Sequence, residues 1–134
     1  MAEELVKKDK GKFYRGIELE ELKEMNIREF AKLAKARSRR SILRNSEEIE
    51  KFVSKCEKNT ERKKPIKTHN RALVIVPKMV GKLIQIHNGK DFVKVEIQSE
   101  MLGHRLGEFS QTRKIAKHTS AGIGATKSTQ ALKK

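Results

Sequence analysis

The stretch Lys82-Leu83-Ile84-Gln85-Ile86-His87-Asn88-Gly89-Lys90-Asp91-Phe92-Val93-Lys94-Val95-Glu96-Ile97 decides the fold. Apolar and polar residues alternate on both sides of Asn88-Gly89, as in two half-buried strands joined by a hairpin turn. A two-residue Asn-Gly loop would set Ile86 opposite Asp91. A four-residue loop, Asn88 to Asp91, sets Ile86 opposite Val93 and Ile84 opposite Val95. The second keeps apolar side chains together on one face and is the expected register.

Working outward toward the N-terminus, Ile66-Lys67-Thr68-His69 reads as a short strand. Leu73 to Val76 is apolar and β-branched until Pro77 ends it, and Gly81 punctuates. Arg62-Lys63-Lys64-Pro65 is a basic break that a helix does not cross. Before it the period becomes helical. Ser46 reads as an N-cap, Glu47 and Glu48 sit in the first turn where the dipole favours acids, and Ile49, Phe52, Val53 and Cys56 form one stripe up to a stop at Asn59. Earlier still, Asn26 with Glu29 has the capping-box spacing. The helix it opens runs through Ile27, Phe30, Ala31, Leu33 and Ala34, then fades into an Arg-rich linker, Ala36-Arg37-Ser38-Arg39-Arg40. Ile17 to Glu24 predicts one or two helical turns. Residues 1–16, Lys-rich with Gly11 and Gly16, read as mobile.

Toward the C-terminus, Ser99 is expected to cap a short helix with Leu102, Leu106 and Phe109 on one face. Gly103 and Gly107 lie beside that face. Each costs a helix about 1 kcal/mol against Ala, so the pair signals close approach of another backbone, protein or RNA. From Gln111 periodicity disappears, and a polar, basic segment of this kind cannot offset its own ordering entropy. The expected fold class is α+β: N-terminal helices, a small antiparallel sheet centred on the hairpin at residues 83–97, a short helix after it and a disordered basic tail. The expected divisions are 1–45, a helical extension with the Arg-rich linker; 46–112, an α+β RNA-binding core; and 113–134, a basic flexible tail.

Charge separates the chain in another way. Its 134 residues carry a formal net charge of +15. Residues 1–61 hold 16 basic and 13 acidic residues, whereas residues 62–134 hold 16 basic residues and only Asp91, Glu96, Glu100 and Glu108. The second part therefore carries +12 of the +15, a field that opposes compaction unless a polyanion neutralises it. Only 36% of residues are hydrophobic, so the core must be small. A single Cys, Cys56, excludes an internal disulfide and suits a reducing compartment. The acidic start, Met1-Ala2-Glu3-Glu4, is unlike a signal peptide, and no apolar run approaches membrane-spanning length. A cytoplasmic protein without a membrane partner is expected.

No enzyme is legible. His69, His87, His104 and His118 are scattered and only one Cys accompanies them, so neither a metal site nor any cofactor is expected. Cys56 lies on an apolar stripe and reads as core. Gly122-Ile123-Gly124 lacks the strand and helix of a phosphate loop. The remaining chemistry is cationic. Arg37, Arg39, Arg40 and Arg44 form one cluster, and Arg62, Lys63, Lys64 and Lys67 a second. Lys78 and Lys82 flank Gly81; Arg113, Lys114 and Lys117 begin the tail. With His69, Arg71, His104, Arg105 and His118 these are the candidate RNA-binding residues. Arginine suits phosphate through its planar fork, and counterion release supplies affinity without base reading. Few aromatics exist, so contacts should fall mainly on phosphate, sugar and RNA shape. The competing reading is a DNA-binding or chromatin-type basic protein. It is disfavoured because the Arg cluster is expected in a linker, not on a recognition helix.

The ordered set Ile66-Lys67-Thr68-His69, Ile75-Val76-Pro77-Lys78-Met79-Val80-Gly81, His87-Asn88-Gly89-Lys90, Glu100-Met101-Leu102-Gly103-His104-Arg105-Leu106-Gly107-Glu108-Phe109 and Thr112-Arg113 resembles the small-subunit ribosomal protein S-nineteen family. It spans residues 40–120. The N-terminal extension, residues 1–36, resembles the archaeal and eukaryotic branch. The resemblance implies a structural constituent of the small ribosomal subunit, bound to small-subunit ribosomal RNA in the head. It also implies an S-thirteen family neighbour, a contact with the large subunit, and a tail reaching toward transfer RNA at the decoding region.

Overall fold

The hairpin forms in the expected register. In the computed structural model, which describes residues 13–116, 122, 124 and 126–130, Ile86 faces Val93 and Ile84 faces Val95. The strands are Leu83–His87 and Phe92–Glu96. The four-residue loop is held by the Asn88 side chain, whose Oδ1 accepts the amides of Lys90 (2.9 Å) and Asp91 (2.7 Å). Gly89, at φ +101°, takes the left-handed turn that a side chain would strain.

In chain order the elements are β1 (Phe13–Tyr14), β2 (Ile17–Glu18), α1 (Leu19–Glu24), α2 (Ile27–Leu33), α3 (Ala36–Arg44), α4 (Ser46–Glu61), β3 (Ile66–Thr68), β4 (Leu83–His87), β5 (Phe92–Glu96) and α5 (Lys127–Gln130). The class is α+β, as expected. Within it, β3 joins β4 in parallel, so the β3-β4-β5 sheet is mixed rather than wholly antiparallel. The long connection from β3 to β4 permits this, because it returns the chain to the same end of the sheet.

Four local expectations need correction. Residues 13–16 are not a loose segment: β1 pairs antiparallel with β2 across the turn at Arg15-Gly16. The Arg-rich linker is helix α3. Ser46 lies inside α4, with Asn45 at the N-cap, and the helix runs past Asn59 to Glu61. Finally, Ser99–Phe109 is not one helix but two 3-10 turns, Ser99–Met101 and Leu106–Phe109. Gly103, at φ +78°, breaks the path between them. Of the tail, residues 117–121, 123, 125 and 131–134 lie outside the described residues; Lys127–Gln130 makes one helical turn.

The core is a single cluster. Ile49, Phe52, Val53 and Cys56 of α4 meet Ile66 of β3, Ile84 and Ile86 of β4, and Leu22, Phe30 and Ala31 from α1 and α2. Leu73–Val76 is fully buried without being a regular strand. Its backbone pairs with the segment around Gly103–Gly107: Ile75 N–H to His104 O (2.8 Å), Gly103 N–H to Ile75 O (3.1 Å), Leu106 N–H to Leu73 O (3.0 Å) and Gly107 N–H to Arg71 O (2.9 Å). The glycine spacing therefore marks a protein backbone. A Cβ on Gly107 would sit 3.0 Å from both the Cβ and the carbonyl oxygen of Arg71, and one on Gly103 would sit 3.0 Å from Tyr14 Oη. No helix among the described residues is long and apolar enough to cross a membrane.

Candidate nucleic-acid interface

Helix α3 builds the first candidate site. Arginine is a good helix former, and one fully buried residue, Ile42, anchors the helix to the core. The spacing of Arg37, Arg40 and Arg44 then places all three on one face. Two tertiary hydrogen bonds fix that face against the 103–105 segment. Ser38 Oγ donates to Gly103 O (2.8 Å), and Arg105 Nη2 donates to Ser41 Oγ (2.9 Å). Arg37, Arg40, Arg44 and Arg105 thus line one open cleft of about 510 Å³, floored by Ala36 and Ser41. The sequence holds Arg105 far from the others; the fold brings it to them.

A second cleft, about 430 Å³, lies where α4 ends beside the sheet. Lys63 and Lys64 reach it from the break after α4, Lys82 from the start of β4, and Lys94 from β5, with Asn59, Thr60 and Gln85 among the polar lining. Lys63 adopts φ +53°, the sharp turn that Pro65 then continues. Lys94 was not among the expected residues. Only the hairpin register, which sets it across from Gln85, would have pointed to it.

The other candidates separate by what they touch. Arg39 is exposed, but its guanidinium is held by the end of α2: Nε donates to Ala31 O (3.2 Å), and Nη2 donates to the carbonyls of Lys32 (3.1 Å) and Ala34 (3.5 Å). It satisfies the open carbonyl end of α2. Arg71 is half-buried and holds three carbonyls, His87 O through Nη1 (2.6 Å), and Gly107 O (2.8 Å) and Ser110 O through Nη2. Both guanidiniums hold the fold together, a role that the sequence does not display. Arg62 is exposed in a mixed-charge groove along α4 with Glu47, Glu50, Lys51, Lys55 and Lys58. Lys78 is exposed on the Pro77–Met79 turn outside both clefts. His104 is exposed and pairs with Glu108, Nδ1 to Oε2 2.8 Å. Lys67 and His69 stand on the outer face of the sheet with His87 and Phe92. Arg113 and Lys114 are exposed; Lys117 and His118 lie outside the described residues.

The electrostatics follow. Among the described residues the only contact of this kind is His104–Glu108, so no carboxylate lies within ion-pair distance of the four guanidiniums of the first cleft or the four ammoniums of the second. Cys56 is fully buried, and burial pushes its thiol up to about 11 against the opposing pull of Lys82 and Lys55, with Glu57 adding to the rise. It is core, and its thiolate is disfavoured.

Two concave, uncompensated cationic surfaces on a small α+β frame define a protein shaped to face a polyanion. A family model described as Ribosomal protein S19 matches residues 39–118, which contain the second cleft and all of the first except Ala36 and Arg37. A relative named Small ribosomal subunit protein uS19, from Methanococcoides burtonii, is 44% identical over 124 residues, covering 92% of this chain and 89% of the relative. The chain belongs to the ribosomal protein S19 family and is a component of the small ribosomal subunit.

Proposed function

We propose that the chain acts as a structural constituent of the subunit by binding small-subunit ribosomal RNA through its two cationic clefts. The observation that carries this reading is the first cleft: four guanidiniums from two distant segments, joined through Ser38 and Ser41, with no carboxylate within ion-pair distance. Planar forks at such a surface suit adjacent phosphates. The family adds finer proposals: a place in the head of the subunit, an S-thirteen family neighbour, a contact with the large subunit, and a tail directed at transfer RNA. Lys117 and His118 belong to that last proposal.

A second reading, duplex DNA binding, gains from one finding. The Arg-rich segment is a helix, so the ground on which that reading was disfavoured is gone. Against it, Arg105 walls the exposed arginine face into a cleft rather than leaving a free rod for a groove. Competition between a transcript of the small-subunit head and duplex DNA of equal length separates the two. RNA is expected to win. In the same assay, the triple replacement of Arg37, Arg40 and Arg44 by Ala should lower the slope of log affinity against log salt by roughly 2–3. An unchanged slope, or duplex DNA prevailing, refutes the RNA reading of this cleft.

A further inference from the structure

The mixed sheet leaves one face away from the core, and the register fixes what stands on it. Lys67 pairs with Gln85 and Gln85 with Lys94, forming one row across the three strands. The next row on that face is His87 opposite Phe92, with His69 just beyond β3 beside His87. Two residues along a strand separate the rows by about 7 Å.

The aromatic row has a defined geometry. The His69 and His87 rings lie 4.4 Å apart, tilted by 36°, too close for edge-to-edge contact, so the two rings partly overlap face to face. Phe92 is 5.1 Å from His69 and 4.9 Å from His87, steeply inclined to both. Being nearly equidistant, it stands beside the pair and does not cap it. The outer face of His69, an exposed residue, is therefore left for a third planar group. His87 is fixed from below, since its Nδ1 accepts the Gly89 amide (3.1 Å). Lys67 Nζ lies 5.2 Å from the centre of the Phe92 ring, which holds a cation beside the platform. Lys94 is the second cation of the neighbouring row, and Glu96, opposite Leu83, is the acid of the row beyond.

We propose that this face is a stacking site for one unpaired nucleobase of RNA, with the base on His69 and its flanking phosphates near Lys67 and Lys94. It rests on the RNA-binding reading but, apart from Lys94, which also lines the second cleft, it uses different residues and a different physics. The clefts attract phosphate and are indifferent to base pairing, whereas a ring face takes only a base that has left its own stack. An aromatic residue with a free face and a cation two residues before it on the same face is the arrangement that single-strand binders combine.

The test uses the full chain with two RNA probes of equal length, a single-stranded oligonucleotide of mixed sequence and the same strand in a perfect duplex. His69→Ala is expected to weaken single-strand binding about tenfold, leaving duplex binding, salt slope and melting temperature unchanged. His69→Trp, with a larger π face, should bind the single strand at least as tightly as the wild type. Equal losses on both probes, or a Trp variant as weak as the Ala variant, overturn the stacking site. So does an Ala variant that loses nothing on either probe, which would assign the face to a protein neighbour. A wild-type chain that binds neither probe with any salt dependence defeats the RNA reading itself; the other outcomes leave that reading standing.

Discussion

Arg71 holds the fold, whereas Arg37 belongs to the cleft proposed to bind RNA, and Arg71→Met tests that separation. The side chain ties three carbonyls from two segments, His87 at the end of β4 and Gly107 and Ser110 around the second 3-10 turn. Hydrogen bonds from a charged donor are worth roughly 1.5–3 kcal/mol each. They share one half-exposed group and do not add, so the expected loss is about 3 kcal/mol. For a domain of about this size each kcal/mol moves the midpoint by roughly 4 °C, giving a fall of about 12 °C by calorimetry. Removing one positive charge from a strongly basic protein also relieves self-repulsion, which acts in the opposite sense. Arg37→Ala removes the same charge from an exposed position and serves as the control; it should stay within about 0.5 kcal/mol of the wild type. Arg71→Lys keeps the charge but lacks the planar fork, so an intermediate midpoint is expected. An Arg71→Met protein that melts within about 1 kcal/mol of the wild type, yet has lost RNA affinity while folded, would show that Arg71 binds phosphate and that the structural assignment is wrong.

Two further outcomes concern the core and a turn. The Cys56 thiol, pushed from 9.0 to about 11 by burial, contributes stability that is complete below pH 9 and is lost as pH rises toward 11, because the unfolded chain ionises first. The stability gap between the wild type and Cys56→Ala, from urea unfolding, should therefore narrow by about 2 kcal/mol between pH 8 and pH 11; a constant gap contradicts the burial. Gly103→Ala should cost about 1–2 kcal/mol, partly from φ +78° and partly from the Tyr14 hydroxyl 3.0 Å from the new methyl group. Adding Tyr14→Phe should recover only part of that in thermal melts; full recovery would exclude the backbone contribution.

The hairpin was legible because alternating residues permit one pairing that sets Val93 and Val95 opposite the buried Ile86 and Ile84. Asn26 with Glu29 was legible for a similarly local reason, and the Glu29 carboxylate does accept the Asn26 amide (3.2 Å). Helix α3 was hidden because it buries little more than Ile42 and leaves Leu43 exposed, so its apolar stripe is too thin to show a period. Strand direction in β3 was hidden too, since no local signal distinguishes parallel from antiparallel pairing. In the site, clusters contiguous in sequence were found, but Arg39 and Arg71 look identical to Arg37 until their carbonyl partners are seen. Lys94 and the His69–His87–Phe92 group exist as sites only through register.

The Arg105–Ser41 hydrogen bond joins residues 64 positions apart and closes one wall of the first cleft. A chain growing on its way out of the ribosome carries three of the four guanidiniums once residue 44 has emerged, but no cleft until residue 105 has folded back onto α3. If phosphate binding at the cleft favours the native state, as any ligand of the folded form must, docking acts as an inspection step. Under the proposed RNA reading, unfinished or misfolded copies would present positive charge without the shape and would compete poorly with complete copies for the same RNA.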